Sequence, residues 1–220
     1  MTFRAPLLTT VAITATMAFA AVSGPTLLGQ TAAQKALLLT PEKFVEQAPA
    51  TFRANFDTSK GPFVIQVTRD WAPFGADRFY NLIKGGYYDG NRFFYVTDRI
   101  ATFGINGDPA IAKVWLYAKF PDDKTRVKSN LRGTVHMTQS NGRKTQTAIL
   151  IQDTTSLDPQ ATPFDEVTQG MNVVERLYTG YGEMFPTGQA PTMLHLFKGT
   201  AALEKEFPLL DLIKTATIMP

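Results

Sequence analysis

The sequence predicts a mainly β domain, an antiparallel barrel with helices closing its open ends. Short apolar runs recur as FVIQV (63–67), RFFYV (92–96), GTVHM (133–137) and AILI (148–151), and the tail DLIKTATI (211–218) alternates. Two other stretches repeat apolar residues at helical spacing instead. Turns rich in Gly and Pro separate the runs, and no internal repeat is present. Many short strands with two helices fit a barrel better than a parallel sheet.

The elements follow in order. Residues 1–20 hold one early cation, Arg4, then a mostly apolar run and Ala18-Phe19-Ala20, a small-x-small pattern. That is the layout of an export signal cleaved after Ala20, with an uncleaved membrane anchor as the alternative. Residues 21–51 read as a tether. Thr40-Pro41-Glu42 can open a short helix in it, and Pro49 ends that helix. The compact domain is expected over 52–220. Lys60-Gly61-Pro62 turns the chain into a strand with Phe63, Ile65 and Val67 on one face. Ala72-Pro73 starts a helix whose stripe is Ala76, Phe79, Tyr80 and Ile83, and Gly85-Gly86 stops it. A second helix is expected from Gly170 to Tyr178, with Met171, Val174, Leu177 and Tyr178 buried.

Composition excludes several chemistries. The 220 residues contain no cysteine and two histidines, so disulfides, thiolate nucleophiles and His- or Cys-rich metal sites are ruled out, and no cofactor is expected. The net charge is +3, and Lys124, Arg126, Lys128, Arg143 and Lys144 form no continuous stripe. They read as solvated surface, not as a nucleic-acid groove. Asp122-Asp123 and Glu204-Lys205-Glu206 read likewise as solvated charge. His136 is expected to face solvent or to hold one hydrogen bond, and His195 to be structural or exposed.

The chain from about Phe52 onward resembles the cyclophilin-type peptidyl-prolyl isomerases, in a divergent bacterial branch. The resemblance rests on Ala72-Pro73, Phe79, Leu82, Gly86, Tyr88 and Gly90, then Arg92-Phe93-Phe94 and Gly107-Asp108. It continues through Ser129-Asn130, Arg132-Gly133, Thr145-Gln146, Leu157-Asp158 and Gly170-Met171 with Val173-Val174. It implies an eight-stranded antiparallel barrel capped by two helices, and an activity that interconverts cis and trans X-Pro bonds.

That chemistry has simple requirements. Conjugation of the amide nitrogen sets a rotation barrier of roughly 18–20 kcal/mol. Twisting the bond frees a lone pair on nitrogen, so a strong donor aimed there lowers the barrier, and a cation donates best. The family uses one arginine, placed directly after the aromatic pair of its strand. Here Tyr95 follows Phe93-Phe94. The family's next run, Pro-Gly-Phe-Met ending in a backbone-binding glutamine, stands as Thr97 to Thr102, one residue short. The resemblance therefore puts Tyr95 at the arginine position, Arg99 and Ile100 at the Phe-Met pair, and Thr102 at the glutamine. Gln146 keeps the second glutamine, Ala148 replaces the phenylalanine at the pocket floor, Ser156 replaces a tryptophan and Leu157 is kept. The rim histidine falls near Ala161 or Thr162. Tyr95, by a neutral hydrogen bond, and Arg99, by swinging in from four residues away, are the candidate donors. Ile100, Thr102, Gln146, Ala148, Ser156 and Leu157 are the candidate binding residues.

Three functions stay open: an exported isomerase, weak or inactive for want of the arginine; a silent module that binds peptides or proteins; and a barrel kept for interaction alone. The expected partners are proline-containing polypeptide segments or a protein partner, not nucleic acid, and not a membrane beyond an uncleaved anchor.

Overall fold

The computed structural model describes residue 1 and residues 31–124, 126–138, 142–183 and 188–220. The export signal expected over 1–20 lies outside the described residues, apart from Met1. In chain order the elements are α1 (Ala32–Leu38), β1 (Thr51–Thr58), β2 (Gly61–Thr68), α2 (Pro73–Lys84), β3 (Tyr95–Val96), β4 (Ile100–Phe103) and α3 (Pro109–Trp115). They continue with β5 (Thr134–Met137), β6 (Thr147–Leu150), β7 (Asp165–Gln169), α4 (Met171–Val174), α5 (Met193–Leu196), α6 (Thr200–Glu206) and β8 (Ile213–Ile218).

The eight strands form one antiparallel sheet in the order β3-β4-β6-β5-β7-β2-β1-β8. The sheet curls until its two edges approach. Arg92 and Leu212 form an isolated bridge, and the amides of Phe93 and Ile213 donate to the carbonyls of Asp211 and Asn91. The expected strand 92–96 is thus paired as a strand only at Tyr95 and Val96, because its first residues serve this closure.

Alternation along the strands decides the interior. Phe63, Ile65 and Val67 of β2 are buried on one face and Gln66 on the other is exposed, while Val64 beside it is buried as well. Aromatic side chains fill the centre. Phe56 stacks on Phe63 at 5.1 Å, and Phe79 of α2 meets Phe164 at 5.1 Å. The helix stripe buries Ala76, Phe79 and Ile83 and leaves Tyr80 half-buried.

The start of α2 lacks a side-chain cap of its own, since Ala72 holds the N-cap position. Asp123 supplies one from a distant loop, accepting from the amides of Phe74 and Gly75 at 2.9 Å each. Arg143 donates to the same carboxylate at 2.8 Å and lies 4.4 Å over the Phe120 ring. Both partners are buried, which corrects the expectation that Asp123 and Arg143 are solvated. Charges leave water only when paired and hydrogen-bonded, and here the pair closes orphan helix amides.

Two further expectations change. The second helix shrinks to the four residues of α4, with Val173, Val174 and Leu177 buried but Met171 and Tyr178 only half-buried. The expected tether is also packed rather than loose over 31–50. Leu38 is in the core and its carbonyl accepts from Trp115 Nε1 at 2.7 Å. Phe44 meets the Trp115 ring at 4.9 Å, and Ala48 donates its amide to Asp77. The expected helix opening at Thr40-Pro41 is a single 3-10 turn, Pro41–Lys43. Among the described residues no helix is long and apolar enough to cross a membrane.

Candidate functional site

Four short strands, β3, β4, β6 and β5, carry the site. Their registers pair Tyr95 with Thr102, Thr102 with Ala148, and Ala148 with His136. Directly paired residues project to the same face of a sheet. Tyr95, Thr102, Ala148 and His136 therefore form one row across four strands, with Ile100 and Leu150 one step along it. The neighbouring row, Val96, Ala101, Ile149 and Val135, points the other way and belongs to the main core. The site row is thus the barrel's outer face.

Tyr95 is half-buried. Its hydroxyl donates to the Glu183 carboxylate at 2.5 Å, and its ring packs on a small second cluster of Phe94, Leu196, Leu203 and Leu210. Burial, then the Glu183 partner, push its hydroxyl up to about 12. Arg99 is exposed and makes no ion pair among the described residues. Its charge is still close enough to act on the Tyr95 hydroxyl. The Arg99 carbonyl accepts from the Ile151 amide at 2.7 Å, which fixes the turn before β4. Ile100 is half-buried, while Thr102 and Ala148 are 5 % and 0 % exposed.

Gln146 stands beside the row, half-buried. Its Oε1 accepts from the Thr138 hydroxyl at 3.3 Å and its Nε2 lies 3.8 Å from the Met193 sulfur. It lines a small cavity of about 20 Å³ with Tyr87, Trp115, Thr138 and Lys144 among others. Burial, then the charge of Lys119, depress the Lys144 ammonium. Three wider clefts open elsewhere. Tyr95, Arg99, Ile100, Thr102, Ala148, Ser156 and Leu157 line none of these four cavities.

Ser156 and Leu157 occupy a single 3-10 turn, Thr155–Leu157, and their hydrogen bonds are local. Ser156 is exposed and Leu157 half-buried. The structure thus brings Tyr95, Ile100, Thr102 and Ala148 onto one face, sets Gln146 at its border, and leaves Ser156 and Leu157 on a separate turn.

One residue of the row escaped sequence reasoning. His136 is 4 % exposed, and its Nδ1 is buried without a partner, which corrects the expectation of a solvent-facing or singly bonded histidine. Burial, then the charge of Arg143, depress it to about 4. The alternation Val135-His136-Met137 announced a strand with one wet face, but all four residues of β5 are buried. His195 meets its expectation. Its Nδ1 lies 2.9 Å from the Thr192 hydroxyl and its ring is edge-on to Phe207 at 5.1 Å, so it orders the start of α5. A second missed group is Asp165, paired across strands with Val67 and Val135 and so turned into the core. It is fully buried, both carboxylate oxygens lack partners, and burial raises it well above the usual range.

Comparison with known proteins places this geometry. The family described as cyclophilin type peptidyl-prolyl cis-trans isomerase/CLD matches residues 53–194. A peptidyl-prolyl cis-trans isomerase-like 1 of Rhizopus delemar is 35% identical over 129 residues, covering 55% of this chain and 76% of the relative. Peptidyl-prolyl cis-trans isomerase ppi1 of Schizosaccharomyces pombe is 29% identical over 127 residues, 54% of this chain and 81% of the relative. Among solved structures, a Cryptosporidium parvum cyclophilin superposes with TM-score 0.56 at 16% identity, over 77% of this chain and 98% of its own. Cyclophilin AquaCyp293 from Hirschia baltica gives TM-score 0.52 at 15% identity, over 78% of this chain and 75% of its own. At those identities the structures speak for the fold alone. The sequence match over 53–194, joined to the curled eight-stranded sheet and its closing helix, settles the kinship: the chain belongs to the cyclophilin-type peptidyl-prolyl isomerase family.

Proposed function

We propose that this chain is an exported, divergent member of a bacterial branch of the family, with a substituted active site. It binds proline-containing polypeptide segments on the outer face of β3, β4, β6 and β5 and turns them over weakly or not at all. The observation that carries this is the bond from the Tyr95 hydroxyl to Glu183. At the position where the family keeps its arginine stands a neutral donor, and its one proton already has an acceptor. Arg99 offers a cation nearby but sits exposed on the turn before β4. Removal of a preorganised transition-state donor costs about 10²–10³ in rate. In a proline-peptide isomerisation assay the chain should therefore run at least about a hundredfold below a family member that keeps the arginine. Full-strength turnover would refute the reading.

The same bond supports the alternative, a catalytically silent module that binds peptides or a protein partner. Saturable spectral shifts at Gln146 on titration with a proline peptide, without acceleration, select it. Export rests on the apolar leader and Ala18-Phe19-Ala20. N-terminal sequencing of secreted or periplasmic protein should begin after Ala20, and recovery of the intact Met1 terminus there overturns cleavage.

A further inference from the structure

Where Ala148 leaves the outer face without a large side chain, the adjacent strand supplies one. His136 is the direct cross-strand partner of Ala148. Such partners hold their Cβ atoms about 4.5–5.5 Å apart, so a methyl at 148 leaves the space beside it to the imidazole. His136 is more than nine-tenths buried, and its Nδ1 is sealed without a partner. An unsatisfied buried polar atom costs about 1–3 kcal/mol, and no hydrogen bond of this side chain among the described residues offsets it.

We propose that His136 is a substrate-contacting residue, its imidazole forming the floor of the peptide site and donating from Nε2 to a backbone carbonyl of a bound proline-containing segment. This rests on the peptide-binding reading above. With Nδ1 sealed, only Nε2 can meet a ligand. Of the two neutral tautomers, the one protonated at Nε2 leaves a lone pair, rather than an N–H, unsatisfied at Nδ1. Burial and the Arg143 charge keep the ring neutral at ordinary pH. A neutral ring with one free N–H matches a carbonyl oxygen and offers a carboxylate no counter-charge. From Tyr95 to His136 the row crosses three strand spacings, about 14 Å, roughly the reach of four extended residues.

The test uses the full chain labelled with ¹⁵N, in which His136 and His195 are the only imidazoles and His136→Gln assigns the spectrum. Titration with a tetrapeptide carrying an Ala-Pro bond should show His136 as the Nε2–H tautomer. Its Nε2 should shift saturably, with the same midpoint as the Gln146 side-chain amide. Saturable shifts at Gln146 with a silent His136 overturn the proposal and leave peptide binding standing. Silence at both sites up to millimolar peptide overturns peptide binding, and the proposal with it. A His136→Leu variant that keeps the wild-type circular dichroism should bind about tenfold more weakly, and His136→Gln should restore much of the loss. Equal binding by the Leu variant overturns the proposal, and should that variant unfold, the wild-type titration still decides.

Discussion

The two faces of the same four strands differ in kind. Inward stand Val96, Ala101, Ile149 and Val135, continuous with the aromatic packing of Phe56, Phe63 and Phe79. Outward stand Tyr95, Thr102, Ala148 and His136. Every inward member is an aliphatic residue that any barrel of this shape would accept. The outward row holds a phenol, a hydroxyl, a methyl and an imidazole. Packing constrains the inner row, because close-packed interiors register a change of even one methylene. The outer row is buried as well at Thr102, Ala148 and His136, but its members are polar or small where the inner ones are aliphatic.

Each face also carries one buried ionisable group around Val135. His136 follows it on the outer side, and Asp165 pairs with it on the inner side. Burial pushes the two in opposite directions, each toward its neutral form.

Four measurements would break or sharpen this contrast. The largest effect belongs to the inner face. Phe103→Ala should lower unfolding free energy by about 3–5 kcal/mol in a denaturant melt, whereas Thr102→Ala, next to it on the outer face, should cost at most about 1.5 kcal/mol. Equal losses would erase the distinction.

The second reads the two buried ionisable groups. His136 is held neutral, from 6.5 down to about 4, so its contribution is full above 6.5 and fades as pH falls toward 4. The change is of order 3 kcal/mol by linkage. Asp165 works the other way. Held protonated, it favours the fold most below its ordinary value of 3.8 and loses that contribution as pH rises above it. His136→Gln should remove the loss on the acid side, and Asp165→Asn should raise stability at neutral pH. If Asp165→Asn destabilises there, the carboxylate has a partner and the inner-face reading is wrong.

The third tests shared space. Ala148→Phe should cost about 1–3 kcal/mol by overpacking, and adding His136→Ser should recover part of it. A lone Ala148→Phe with unchanged melting temperature would mean that His136 does not fill the place beside it. The smallest effect is Tyr95→Phe, which removes the bond to Glu183 and should cost about 0.5–1.5 kcal/mol. A much larger loss would make Tyr95 a structural keystone and no longer a displaced site residue.

Much of the barrel was legible. The period-two run of β2, the stripe of α2 with its Gly85-Gly86 stop, and the alternating tail of β8 each have a local cause. Less of the site was. Tyr95, Ile100, Thr102 and Ala148 were named from the resemblance, and their common face follows from strand registers. Asp123 and Arg143 read as ordinary surface charge, since no local pattern announces that one will cap a helix 48 residues away and the other will neutralise it. His136 was misread because alternation reports which face a residue takes and not how deeply that face is buried. The packing of 31–50 was missed for a similar reason. The apolar residues Leu38, Phe44 and Ala48 are too sparse to read as a core until Trp115 arrives from far along the chain.

By itself the sequence determined the strands β2, β5, β6 and β8, where α2 starts and stops, and that thiol chemistry and Cys- or His-rich metal sites have no ligands here. These depend on backbone geometry and side-chain type within a few residues. Only the tertiary structure decided that four separate strands align one phenol, one hydroxyl, one methyl and one imidazole, and that a carboxylate from beyond β4 caps α2. Those facts depend on which distant segments meet, and that is settled by the shared burial of the whole barrel, which no local window contains.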